Sequence, residues 1–243
     1  MDIKDSLRLI VKETRAKETS DLLPFVDDEP LSGPGLWTAK DNLAHMSAWR
    51  VHAAEGLQAA RLHREARDMG ELDVANAAIY AETKDLSADA IRDRSRRSWD
   101  ALASEIEACT VEDLLSPRPG QPDRKAWEIV PGNTHGHLAE HLGYWHSERG
   151  DEASAEAAQL WQLGLDERAF EDPKQRGNAV YNLACYFARR GRTNEALPFL
   201  TKSFQLNPSL REWAKQDADL NQIRSDEQVA RLLHSKGLNT IRK

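Results

Sequence analysis

The chain has 243 residues, room for one large domain or two small ones. Apolar residues make up 40% and charged residues 30%, which fits a globular protein and argues against a disordered one. The formal net charge of −7 argues against a general nucleic-acid binder, which needs a basic face for phosphates.

Ala, Leu, Glu and Arg dominate, so an all-α chain is expected. The one Arg-rich run, Ile91 to Arg97, contains Asp93 and reads as a solvated helix face. Cys109 and Cys185 lie far apart and form no CxxC, which fits buried thiols in a reducing compartment. The charged start MDIKDSLRLIVKETRAKE has no signal-peptide core. No apolar run approaches the roughly 20 residues needed to span a bilayer. The expectation is a cytoplasmic protein that binds neither membrane nor nucleic acid.

Residues 2–26 read as an amphipathic helix burying Leu7, Ile10, Val11, Leu22 and Leu23. DDEPLSGPG (27–35) is a loop. A long helix is expected over 37–68, with Thr38 as N-cap, Asp41 three residues on, and Leu43, Met46, Trp49 and Ala53 on its inner stripe. Gly70 breaks it. A short helix follows over 71–83, then a long one over 86–110 capped by Ser87. Residues 111–132 carry four of the ten prolines and read as irregular. A fourth main helix is expected over 133–150, capped by Asn133 or Thr134 and stopped by Gly150. Four long helices with a Pro-rich crossover make a four-helix bundle over residues 1–150. After a boundary at 150–154, helices are expected over 156–172, 177–208 (turning at Gly191) and 211–233. Pro198 is placed in the first turn of its helix, where it is tolerated.

The stretch NTHGHLAEHLGYWH (133–146) holds four of the eight histidines. On a helix, His137 and His141 stack on one face, while His135 and His146 point elsewhere. Two ligands are too few for a transition metal, so a third is needed. His45 lies beside Leu43 and Met46 on the inward side of its helix. Facing side chains on neighbouring helices are how bundles build metal sites. Three neutral imidazoles with an open position suit Zn²⁺, Ni²⁺ or Fe²⁺. Glu140 is a candidate acceptor for the second ring nitrogen of His141. His52, two turns beyond His45, falls near the same stripe and is left outside the site.

WTAKDNLAHMSAW, LDVANAAIY and NTHGHLAEH, in that order, resemble the DinB-like superfamily and in particular its ClbS/DfsB branch. The matching positions are Trp37, Asp41, His45 and Trp49, then Asp73, Asn76 and Tyr80, then Asn133, Thr134, His137 and His141. The resemblance implies a bundle with a pocket at one end and a metal triad of His45, His137 and His141. It implies a small electrophile met by a thiolate or an activated water. Tyr80 is then a proton donor or substrate-binding group, or simply a half-buried tyrosine. Asp73 and Asn76 line the pocket or cap a short helix. Trp37 and Trp49 stack on substrate or pack the bundle.

YNLACYFARRGRTNEALPFLTKSFQLNP resembles a tetratricopeptide repeat, with Ala184 and Ala196 at the helix contact, Gly191 at the turn and Pro208 at the end. That resemblance makes 154–243 a TPR-like module that docks a protein partner, self-associates, or only packs and caps. The expected function is a metal-dependent hydrolase or thiol transferase acting on a small electrophilic or xenobiotic compound. The alternatives are a non-catalytic scaffold and a metal-free pocket that binds a reactive small molecule.

Overall fold

The structure, a computed structural model, describes residues 1–28 and 36–235. Most of the expected 27–35 loop therefore lies outside the described residues. The described chain is almost entirely helical, and the contacts divide it into two compact units, Met1–Ala158 and Gln159–Lys243.

In the first unit, α1 spans Ile3–Asp21, and the Asp2 side chain accepts from the Asp5 amide at its start. The expected helix stops short because Pro24 cannot donate a ladder hydrogen bond and restricts the residue before it. A 3-10 turn, Leu23–Phe25, follows. Leu7, Ile10, Val11 and Leu22 are buried, as the pattern predicts, but Leu23 is only partly so.

Helix α2, Ala39–Arg61, opens with a full capping box: Thr38 accepts from the Asp41 amide, and Asp41 accepts from the Thr38 amide. It ends seven residues before the expected 68. His63 adopts φ +50°, a left-handed conformation histidine visits more readily than most residues, and this ends the helix without a glycine. Helix α3 spans Leu72–Thr83 and packs on α2. Helix α4, Ala88–Ala108, is capped by Ser87, which accepts from the Ala90 amide.

The stretch expected to be irregular is ordered. It holds α5, Val111–Leu115, and a small antiparallel hairpin of β1, Pro117–Arg118, and β2, Gln121–Lys125. Pro119 and Gly120 make its turn, and Gly120 has the positive φ that a type II turn requires. A 3-10 turn, Ala126–Glu128, leads into α6, Ile129–Gly132. Helix α7 spans His135–Ser147. Neither expected cap reaches forward. Asn133 Nδ2 donates back to the Ile129 carbonyl and Thr134 Oγ1 to the Val130 carbonyl. Both side chains satisfy the C-terminal end of α6 instead of the start of α7.

Helices α1, α2, α4 and α7 enclose one core: α4 packs on α1 and α2, and α7 on both as well. Leu43, Leu57, Ile91, Trp99, Leu102, Leu138 and Leu142 are all essentially inaccessible. Each large apolar side chain buried this way contributes about 1.5–3 kcal/mol. The core also contains a buried ion pair that the sequence pattern does not announce, Arg50 on α2 with Glu18 on α1.

The division between units falls within α8, Glu152–Ala169. The second unit is built on α9, Pro173–Ala188, packed against α10, Thr193–Leu206. Gly191 turns the chain at φ +66°, and Ala184 and Ala196 are both fully buried. Pro198 stands inside α10 rather than in its first turn, so one ladder hydrogen bond is missing there. The single helix expected over 211–233 is three pieces: α11, Leu210–Ala214, a 3-10 turn, Ala218–Leu220, and α12, Glu227–His234. Asp217 and Asp226 cap the second and third pieces, which is why the chain restarts there. Among the described residues, no helix is long and apolar enough to cross a membrane.

Candidate metal centre

Helix α2 presents His45 toward α7, and the four-residue spacing on α7 puts His137 and His141 on the facing side. The three imidazoles meet at their Nε2 atoms. His45 Nε2 lies 3.0 Å from His137 Nε2, which lies 3.1 Å from His141 Nε2. The ring centroids are 4.6–4.9 Å apart. A tetrahedral ion with bonds of about 2.0–2.1 Å would separate neighbouring ligand nitrogens by about 3.3–3.4 Å. An outward shift of a few tenths of an ångström therefore admits one.

The protonation states agree with that use. Burial pushes the His45 imidazole down to about 4. Burial, then the neighbouring His45, pushes His141 down to about 3. His137 is held well below the ordinary range by burial and by His141 and His45. All three are neutral near pH 7, the form that ligates.

Asn42 sets the geometry of His141. Its Nδ2 donates to the Thr38 carbonyl at 2.8 Å, which fixes the amide, and its Oδ1 accepts from His141 Nδ1–H at 2.6 Å. That bond selects the tautomer with a free lone pair on Nε2. The role proposed for Glu140 from the sequence thus belongs to Asn42. Glu140 instead lines the cavity beside the triad. His45 Nδ1 and His137 Nδ1 are buried and have no hydrogen-bond partner among the described residues.

That cavity, about 390 Å³, is lined by all three histidines together with Trp37, Trp49, Asn76 and Tyr144. Trp37 lies over the site. Its ring stacks on His141 at 5.8 Å, runs parallel to Tyr80 at 6.2 Å and meets His45 edge-on at 5.0 Å. Trp49 donates its indole N–H to Asn76 Oδ1 at 3.1 Å. Neither tryptophan is in the buried core, so both serve the cavity more than the bundle's packing. A smaller cavity, about 220 Å³, shares Trp37, His141 and Tyr144 with it and has Asn42 and Glu148 in its wall. Burial raises the Glu148 carboxyl above its ordinary value.

No family model, curated protein or solved structure matches this chain. The site is read from its own geometry.

The other sequence-selected residues are placed as follows. Asn76 faces the cavity. Tyr80 is 43% exposed and touches Trp37 rather than the triad. Asp73 is exposed in the first turn of α3. His135 is buried and outside the triad, and His146 Nδ1 lies 3.5 Å from Asp151. The sequence pattern does not single out Asn42 or Tyr144. Asn42 was recoverable from its position one turn before His45, once α2 and α7 are known to face each other.

The second unit has a weaker cluster, Cys185, Asp217 and Asp219. Burial and Asp217 push the Cys185 thiol up, Tyr181 donates to Asp217 at 2.7 Å, and Arg189 pairs with Asp219 at 2.8 Å. A protonated thiol and carboxylates already engaged make a poor cation site.

Proposed function

We propose that the first unit is a divalent-metal-dependent enzyme, a hydrolase or thiol transferase acting on a small electrophilic compound, with His45, His137 and His141 as ligands. The observation that carries this reading is the convergence of three neutral Nε2 atoms beside a cavity. Without an ion, the lone pairs of such atoms repel or share a single proton. The motif order that resembles the ClbS/DfsB branch points the same way. A set of three imidazoles suits Zn²⁺, Ni²⁺ or Fe²⁺. When bound, such an ion supplies a Lewis acid and lowers the pKa of a water or thiol.

The chain's own groups supply the rest. Asn42 keeps His141 in its ligating tautomer. Glu140, in the cavity wall, is the carboxylate available to take the proton of the attacking group. Asn76 offers its amide to the substrate, and Trp37 covers the imidazoles and excludes water from that side. Tyr80, parallel to Trp37, is a proton donor at the edge of this aromatic cover, and Asp73, exposed, follows the cavity residue Leu72 in the chain.

The test is elemental analysis of the purified protein beside His137→Ala. The expected result is about one equivalent of Zn, Ni or Fe per chain in the parent, lost in the variant. Absence of metal after reconstitution with each of the three, with an unchanged melting temperature, would overturn the reading.

A further inference from the structure

His45, Trp49, His52 and Gly56 follow one another at four-, three- and four-residue steps, so they form a single stripe along α2. The metal cavity covers the first two positions of that stripe. A second cavity, about 490 Å³, covers Trp49, His52 and Gly56. Trp49 lies in the walls of both. The other walls also continue from one to the next. The 66–70 segment gives way to Leu72 and Asn76, and Ile129 gives way to Gly132 and Asn133. Gly56 permits this closeness, since a Cβ there would meet Ile129 Cδ1 at 2.6 Å.

The far end is cationic. Arg118 on the hairpin lines it, half-buried, and its guanidinium makes no hydrogen bond or ion pair with the described residues. Arg67 lines it too, with only a 3.8 Å contact to Glu55. His52 lines it as well, with Nδ1 buried and without a partner among the described residues. Asp68 and Glu55 offset part of this charge, and Arg118 is the cation left without a carboxylate at ion-pair distance among the described residues. Asp68, also in the wall, accepts from the Gly70 amide at 2.8 Å. Burial, then Arg124, lowers the Arg118 pKa, and Glu128 opposes them only in part. An unpaired, partly desolvated guanidinium beside an imidazole matches an oxyanion, which supplies the missing charge.

We propose that Arg118, Arg67 and His52 form an anion subsite, so that the substrate carries a carboxylate or phosphate group held beyond Trp49 from the reacting atom. Seven residues of helix separate His45 from His52, which sets that distance at about 10 Å. The inference names the substrate class for the enzyme proposed above, and it rests on that reading. The subsite itself can be tested without it.

The experiment is NMR of the histidine ring resonances. Inorganic phosphate and, separately, propionate are titrated into the parent protein, His137→Ala, Arg118→Gln and Arg118→Lys. The expected result is a saturable shift of the His52 ring in the parent and in His137→Ala alike. Affinity should fall at least about tenfold in Arg118→Gln and be partly kept in Arg118→Lys, as loss of one charge-assisted bond implies. Saturation by phosphate alone or by propionate alone identifies the group and supports the subsite either way. An absent or unsaturable shift, or an equal shift in folded Arg118→Gln, overturns it. Failure of the metal reading shows separately, as a parent protein that binds the anion but no metal.

Discussion

Helix α2 carries two polar clusters five residues apart, on different faces, and they are built in opposite ways. Around Arg50 every group has a partner. Its guanidinium pairs with Glu18 at 2.5 Å, donates to Ser98 Oγ at 2.9 Å and to Ser47 and Ser95 at 3.2 Å, and lies 4.1 Å from the Trp99 ring. Ser95 and the Trp99 indole donate to the same Glu18 carboxylate. Around His45 the polar atoms are left over. Two Nδ1 atoms have no partner and three Nε2 atoms point at one another. A saturated cluster specifies a fold, while an unsaturated one has bonding capacity left for a ligand.

The comparison breaks most sharply at Arg50. Arg50→Met leaves the Glu18 carboxylate, 1% exposed, without its cation. Such a loss costs about 3–5 kcal/mol, to be read from urea unfolding. Adding Glu18→Leu should restore much of it, because removing both charges of a buried pair is often near neutral. Metal content should not change in the folded single variant. If Arg50→Met cost less than about 1 kcal/mol, the cluster would not be the bundle's polar anchor.

Why one cluster is legible in sequence and the other is not follows from the same chemistry. The clustered histidines stand out in the sequence because His137 and His141 recur at helical spacing and His45 sits among Leu43 and Met46. Glu18 and Arg50 look like any exposed charges of an amphipathic helix, and only the packing of α1 on α4 and α2 reveals them. Capping is local, so Thr38 and Ser87 are read correctly. Asn133 and Thr134 have the right types, but a preceding short helix competes for them. The Pro119–Gly120 pair did mark a hairpin turn, but it was hidden among the other prolines of 111–132.

A milder way to sharpen the contrast is pH. The three triad imidazoles are lowered in the folded state, so between their folded and unfolded values the unfolded chain binds more protons. Stability contributed by keeping them neutral is therefore fully present above about 6.5 and is lost as pH falls toward 4. From pH 7 to 6 each costs about 0.7 kcal/mol, or about 2 kcal/mol for three. Denaturation of the metal-free protein should show this loss, and His45→Gln should remove about a third of it. A parallel pH dependence in both proteins would mean that His45 is not held neutral.

Asn42 separates the two clusters most cleanly, because changing it leaves all three histidines in place. Asn42→Ala removes the acceptor that holds His141 Nδ1–H, so the ring is free to turn and to present the wrong tautomer. Loss of such an outer partner weakens metal binding about 10–100-fold. Competition with a chelator of known affinity measures it. Asn42→Asp keeps an acceptor and should keep most of the affinity, at some cost in the Thr38 contact that the amide nitrogen makes. A purely structural asparagine would give the reverse pattern: Ala would lower the unfolding midpoint while metal affinity stayed the same. The Arg50 cluster is expected to behave in that second way, since every polar group in it is already paired. The His45 cluster is expected to behave in the first, because an orienting bond there improves binding only by restricting a donor that the fold has left free.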